Sequence, residues 1–466
     1  MAFGGAGIRR RSRDVDMTEG SIVRHLLLFA LPLLAGNMFQ QLYNMVDTWV
    51  VGNYVSNEAF SAVGSVGPLI NTLIGIFSGF SIGMGAVISQ FYGAKQYDKV
   101  KEAVHTSIVL TIIMSIAIMV LGFSILTPAL RMMKIPDEIM PLATAYLRIY
   151  FIGIPGLVLY NLGAGILRAV GDSKRPFYFL VVAAVVNTML DLVFVLCFRM
   201  GVEGVAWATI IAQAVSAVLV ILSLLHSDSC IKLSLRELKI NKDLMFKILK
   251  VGFPAALQMA LTSFSNAFVQ SYVNSFGKYC MSGWTAYGKI DQLVILPLFS
   301  IASASSTFVA QNLGKNDVVR ARKGMRTASL LAAGIMALVM PFILIFAPQL
   351  VAFFNPEPAV IEYGTLILRT ITPFYFLCCI SEVWFSSLRG AGNTRASMLI
   401  MFASFVGVRQ IYMFVMSNFI ANEVIPIIMG YPVGWFVAVL IIAVYSRFVK
   451  FEKTRLVDDS AKPARA

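Results

Sequence analysis

Charge is what this chain of 466 residues has least of. Asp, Glu, Lys and Arg make up 13% of it and hydrophobic residues 58%, whereas a soluble globular chain carries roughly a quarter charged residues. No interior of this size hides such an apolar excess, so much of the surface must face lipid. Histidine is scarcer still: His25, His105 and His226 all sit at the ends of apolar runs, which leaves imidazole chemistry without a candidate. The five cysteines (Cys197, Cys230, Cys280, Cys378 and Cys379) are odd in number and form no CxxC pair. They read as packing residues, with no disulfide framework and no structural metal. There is no GxxxxGK[ST] loop and no HExxH, and no nucleophile is read beside a base, so neither a primary pump nor an enzyme is expected. The first apolar run is too long, and has too many successors, to be a signal-peptide core.

What is present is a series of apolar runs. Cutting at charge clusters and Pro/Gly turns predicts twelve spans, at about 24–52, 58–90, 104–127, 140–165, 176–199, 203–226, 246–274, 283–310, 326–350, 361–387, 397–418 and 423–447. Thirty of the 38 Lys and Arg residues fall in the termini and in every second loop, while the other loops hold only Arg131, Lys134, Arg199 and Lys278. Basic residues collect on the cytoplasmic side, so a plasma-membrane protein with both termini inside is expected. The net charge of +14 is then an orientation signal with some pull on membrane lipids, and nucleic acid is not an expected partner.

The two halves repeat at an offset of about 221 residues. Gln90-Phe-Tyr-Gly93 matches Gln311-Asn-Leu-Gly314, and "LRAVGDSKR" (167–175) matches "LRGAGNTRA" (388–396). Six spans per copy is an even number, so both copies enter the membrane the same way. The expectation is an all-α polytopic membrane protein, two six-helix bundles related by a pseudo-two-fold axis along the membrane normal. The expected division is a tail over 1–23, bundles at 24–226 and 246–448, a linker at 227–245, and a tail at 449–466. The polar, basic residues before Met17 read as either a disordered tail or an upstream extension, and those after about 452 lack apolar periodicity and read as disordered.

Within the spans, charge stands out. A carboxylate facing lipid costs about 2.5–3.5 kcal/mol on insertion scales, yet Asp47, Asp191, Asp291 and Glu382 all lie there. Gln40, Asn44 and Asp47 are spaced i, i+4, i+7 and share one helical stripe. Asn187 and Asp191 are i, i+4 on the fifth span. Thr209 and Asn161 add neutral oxygens from neighbouring spans. Two carboxylates with amide and hydroxyl oxygens suit a proton or a hard cation such as sodium. For Asp291 a pairing with Lys289 is an alternative, and for Glu382 one with Arg409. Gln40, Asn44, Asp291, Glu382 and Arg409 are candidates to line a substrate cavity. Pro32 and Pro254, with the glycines of "GIFSGFSIGMGA", suit a mobile, closely packed bundle.

The chain resembles the multidrug and toxic compound extrusion (MATE) transporters. The likeness covers about residues 17–450 and rests on "MTEGSIVRHLLLFALPLL", "QQLYNMVDTWVVG", "ISQFYGAKQYDKV", "ILRAVGDSKRP" and "SLRGAGNTR". Resemblance to the branch with a cation site in the N-terminal bundle implies a cluster of Asp47, Asn187, Asp191 and Thr209, with Asn161 at its margin. A similar branch carries a glutamate about eight residues after the seventh-span proline. Thr262 stands there instead, which leaves a C-terminal coupling site without its acid. The resemblance implies a monomeric antiporter for multidrug efflux, exporting small organic cations against proton or sodium entry, with no cofactor. The alternative is a flippase for a lipid-linked saccharide, which calls for a ring of cavity arginines, whereas Arg409 and Lys289 are the clear mid-span cations.

Overall fold

The computed structural model describes residues 14–133 and 135–457. The rest of both tails, and Lys134, lie outside the described residues. Twelve helices long and apolar enough to cross a membrane run through the described residues. The first half holds α1 (Ile22–Tyr54), α2 (Asn57–Gly93), α3 (Tyr97–Met132), α4 (Met140–Ala169), α5 (Lys174–Cys197) and α6 (Gly201–Leu225). The second holds α7 (Lys242–Asn274), α8 (Lys278–Gly314), α9 (Val318–Phe354), α10 (Pro358–Gly390), α11 (Thr394–Ile420) and α12 (Val424–Phe448).

Most helices outrun the apolar segments read from the sequence. The ninth begins at Val318, not near 326, because Asp317 caps it by accepting from the Arg320 amide at 2.9 Å. Its first turns carry Arg320, Arg322 and Lys323, so charge marks where lipid ends and not where the helix ends. Ser56 caps α2 through the Ala59 amide at 3.1 Å, and Asn241 caps α7 through Asp243 and Leu244.

Helix α2 forms the seam between the halves. Gly75, Gly79 and Gly83 recur every four residues along one stripe, and an added Cβ at Gly79 or Gly83 would overlap the backbone of Ala256 or Gly252 on α7. The missing side chains are what let two helix backbones approach so closely. Towards the start of α2 the stripe continues through Asn71, Gly67 and Gly64. There Asn71 is exposed, and nothing lies within 4 Å of a Cβ at either glycine. The seam is therefore closed towards the Gly93 end, on the basic-loop side, and loses its partner helix towards the other.

The segment between the halves also packs. Ile231 and Leu233 are buried in a core cluster with α2 to α4 and α7. His105 donates from Nδ1 to the Lys101 carbonyl at 2.7 Å and accepts the Ser234 amide on Nε2 at 3.0 Å. It is a pinning residue for the connection. The tail readings need correction. Leu456 and Val457 are buried in that cluster, and Met17 is 1% exposed in the other half's core. Short straps of turns, one of them carrying a single 3-10 turn over Phe451–Thr454, need no long periodic pattern to bury a few side chains.

Candidate functional site

In the first half, α1 and α5 bring the side chains of Asp47 and Asp191 within hydrogen-bonding reach of each other. Asp191 is 0% exposed and Asp47 half-buried. Both lie in the last third of their helices, away from the basic loops. Among the described residues neither enters an ion pair with Lys, Arg or His. Both Asp191 oxygens and Oδ1 of Asp47 are buried with no protein donor, as are both polar atoms of Asn187 one turn away. Two carboxyls can hydrogen-bond only across a shared proton; otherwise a cation must bridge them. Buried oxygens without donors are the set that a small positive guest satisfies. No three His, Cys, Asp or Glu side chains come together among the described residues, so any ion here relies on amide oxygens as well. A wide π-type turn at Val193–Cys197 follows Asp191 directly, an irregularity that recurs at functional positions.

The other sequence candidates divide. Thr209 is buried but its hydroxyl donates to Val205 of its own helix at 2.9 Å, leaving its lone pairs free. Asn161 donates from Nδ2 to the Leu157 carbonyl of its own helix at 2.8 Å, and its backbone carbonyl accepts from Ser81 at 2.9 Å. Gln40 hydrogen-bonds the Tyr43 hydroxyl, and Asn44 is exposed. Sequence reasoning missed the wall of the site. Tyr43 and Tyr146 lie within electrostatic reach of the carboxyls, Tyr150 stands beside Tyr146, and Gln213 hydrogen-bonds Tyr150 with its own Oε1 buried. The rings of Tyr146 and Tyr150 stack with centroids 6.3 Å apart. The one available signal was the i, i+4 tyrosine pair on α4.

The acids of the second half are placed differently from expectation. Asp291 accepts from the hydroxyls of Tyr287 and Tyr375, and Lys289 is exposed and not its partner. Glu382 does not pair with Arg409. The charge acting on it is Arg389, one helical face along α10. Arg409 is instead held by Ser265 at 2.5 Å and Asn266 at 3.1 Å and lies 4.7 Å from the centre of the Tyr431 ring. A buried guanidinium takes neutral acceptors and a ring face where no carboxylate reaches it. Thr262 donates to Gln258 of its own helix at 2.9 Å. Two tyrosine donors give Asp291 a structural role that can be tested. Asp291→Asn keeps the Oδ1 acceptor, and its melting temperature should stay near wild type. Asp291→Leu orphans two buried hydroxyls at about 1–3 kcal/mol each, and differential scanning fluorimetry should show a clear fall.

One letter pattern cuts against the absence of enzyme motifs. Gly79-Phe-Ser-Ile-Gly83 spells GxSxG. The serine lies mid-helix rather than on a strand-to-helix elbow, and its hydroxyl donates to the Asn161 carbonyl. The glycines serve the α2–α7 seam. It is a packing motif.

Comparison with known proteins agrees with the two-fold layout. The MatE family model matches residues 32–193 and again 254–415, two equal stretches displaced by one repeat. The chain is 30% identical over 452 residues to Probable multidrug resistance protein YoeA of Bacillus subtilis (strain 168), covering 94% of this chain and 97% of that one. It is 21% identical over 383 residues to Multidrug export protein MepA of Staphylococcus aureus (strain NCTC 8325 / PS 47), covering 82% and 84%. A solved outward-facing multidrug resistance MATE family transporter of the MOP superfamily superposes with a TM-score of 0.89 at 23% identity, covering 96% of this chain and 99% of that one.

Proposed function

Because the chain belongs to the MatE family, we propose that it is a multidrug exporter of the cytoplasmic membrane, with both termini in the cytoplasm. In this reading it moves small organic cations outward in exchange for one inward proton or sodium ion bound at Asp47 and Asp191. The observation that carries the reading is the pair of facing carboxyls with no basic partner, beside an Asn187 amide whose polar atoms are also unmet. Fixed arginines would make such a pair permanent structure, whereas unmet oxygens leave it free to load and unload. In this reading Asn187 and Asp191 supply the ligands from one face of α5, Asp47 supplies the partner from α1, and the Thr209 hydroxyl of α6 adds a lone pair. The buried Tyr146 ring helps to keep bulk water from the site.

The cycle follows from where the seam closes. With the basic-loop side shut, an ion enters from the outer side and neutralises the pair. Loading removes the repulsion between α1 and α5, favours rearrangement of the first bundle and releases the exported cation outward. The ion then leaves to the cytoplasm, and the charged pair is ready for the next substrate. A flippase reading gains no support from the second half, where Arg409 is buried against Ser265 and Tyr431.

Flux of an organic cation from proteoliposomes tests the proposal, with membrane potential clamped and the pH and sodium gradients imposed separately. One of the two gradients should drive export. Flux indifferent to both would remove the antiport reading.

A further inference from the structure

On the basic-loop side two glutamines occupy equivalent places. Gln90 on α2 and Gln311 on α8 are both 0% exposed. Gln90 donates from Nε2 to the Gly390 carbonyl at 3.1 Å, at the end of α10 in the opposite half. Gln311 donates to the Ala169 carbonyl at 3.1 Å, at the end of α4, likewise across the seam. Each also accepts a backbone amide from a terminal strap: Leu456 to Gln90 at 2.8 Å and Met17 to Gln311 at 2.9 Å. Where α2 and α8 cross, an added Cβ at Gly93 would overlap the Gln311 backbone, and one at Gly314 the Gln90 backbone.

Each strap spans both halves. The Val15 amide donates to Val170 at 3.0 Å in the first half. The carbonyl of Met17 accepts from Asn312 at 3.3 Å and Arg320 at 3.2 Å in the second. Leu456 and Val457 are buried in the first half's core. Arg455 donates to the Gly314 carbonyl at 3.2 Å, and Leu456 packs on Gly392, whose φ of +82° disfavours any residue with a side chain and where a Cβ would lie 3.0 Å from Leu456. Gly171, one repeat earlier, has φ +87° and receives Val15 in the same way. Each strap therefore ties together two halves that inward opening must separate.

We propose that Gln90, Gln311 and the segments 14–20 and 449–457 form a double clasp that holds the basic-loop side shut. Opening to that side requires both straps to leave their glutamines together. The inference rests on the exporter reading for its purpose, but the clasp itself can be tested without any transport. Gln90 and Gln311 act as positioning residues. Neither touches the carboxyl pair, and they set how readily the halves part beneath it.

Hydrogen–deuterium exchange on the purified full chain reads the clasp directly. Gln90→Ala should raise exchange about tenfold or more in 449–457, in 14–20, and in the α2–α7 seam around 79–83 and 250–256. Faster exchange confined to 449–457 would overturn the proposal, because the straps would then open independently of the seam. If Gln90→Ala loosens the whole chain, Gln311→Glu serves instead: it keeps the acceptor for Met17 and loses the donor to Ala169. The seam and 14–20 should then exchange faster together, because the straps leave when the seam opens; an unaltered seam, or a faster seam with 14–20 still protected, counts against the clasp.

A second readout uses the Glu19–Lys315 ion pair at 3.1 Å, whose side chains are exposed. A reducible bismaleimide-type linker across Glu19→Cys and Lys315→Cys should stop efflux, with reductant restoring it. Unchanged efflux by the linked protein overturns the clasp. No efflux even before linking, together with coupled exchange of straps and seam, would instead remove the exporter reading and leave the clasp standing.

Discussion

Asp191→Asn protein should insert, fold and bind membranes like wild type, yet export an organic cation at least about tenfold more slowly, the weight of about 1.4 kcal/mol. The substitution keeps size, exchanges one acceptor oxygen for an NH2 donor, and removes the charge that attracts a guest ion. Asp191 is fully buried, and the protein group within its hydrogen-bonding reach is Asp47, to which an amide at 191 can donate, so stability should change little. Asp47→Asn should follow it, less completely, because Asp47 is only half-buried and Asp191 stays to bind alone. Doing both should add little to Asp191→Asn, since residues that share one ion do not act independently. Export measured in membrane vesicles, with protein content matched by blot, checks the series. Unimpaired efflux by Asp191→Asn would leave the pair without a coupling role.

Gly83→Leu should be the most damaging change on the seam. A Cβ at residue 83 overlaps the backbone of Gly252, and backbone cannot rotate out of the way as a side chain can. Overpacking costs about 1–3 kcal/mol in a soluble core, and here the clash also forces apart the helices on which closure depends. A lower melting temperature in detergent and loss of efflux should come together. Gly64→Leu, on the same stripe but with nothing within 4 Å, should be close to neutral in both. If Gly64→Leu proved as harmful as Gly83→Leu, the split between a closed and an open end of the seam would be wrong.

Spans, halves and the leading pair were readable because each rests on a one-dimensional pattern. Apolar length marks a membrane helix, a constant offset marks a repeat, and i, i+4 spacing puts Asn187 beside Asp191. What periodicity cannot supply is the rotation of one helix against another. Asp291 and Lys289 are near in sequence, yet Asp291 turns to Tyr375 on α10. Glu382 and Arg409 are both charged and mid-span, yet they sit on faces that do not meet. Asn161 lay in the right helix, but its amide folds back onto Leu157. The matched Gln90 and Gln311 were visible as a repeat and silent as a clasp, because their partners are backbone atoms some 300 residues away. The straps escaped notice for a related reason. Met17, Leu456 and Val457 bury themselves singly, in segments too short and too polar to carry a periodic signal.

The most direct test counts ions at equilibrium on purified protein: labelled sodium bound at neutral pH, and protons released when a lightly buffered, sodium-free sample is taken from acid to alkaline pH. Wild type should bind one sodium that the Asp47→Asn, Asp191→Asn double variant does not, or release at least one proton more than that variant and at most two, since two carboxyls are removed. Equal occupancy of both proteins by both ions would mean that the facing carboxyls hold nothing.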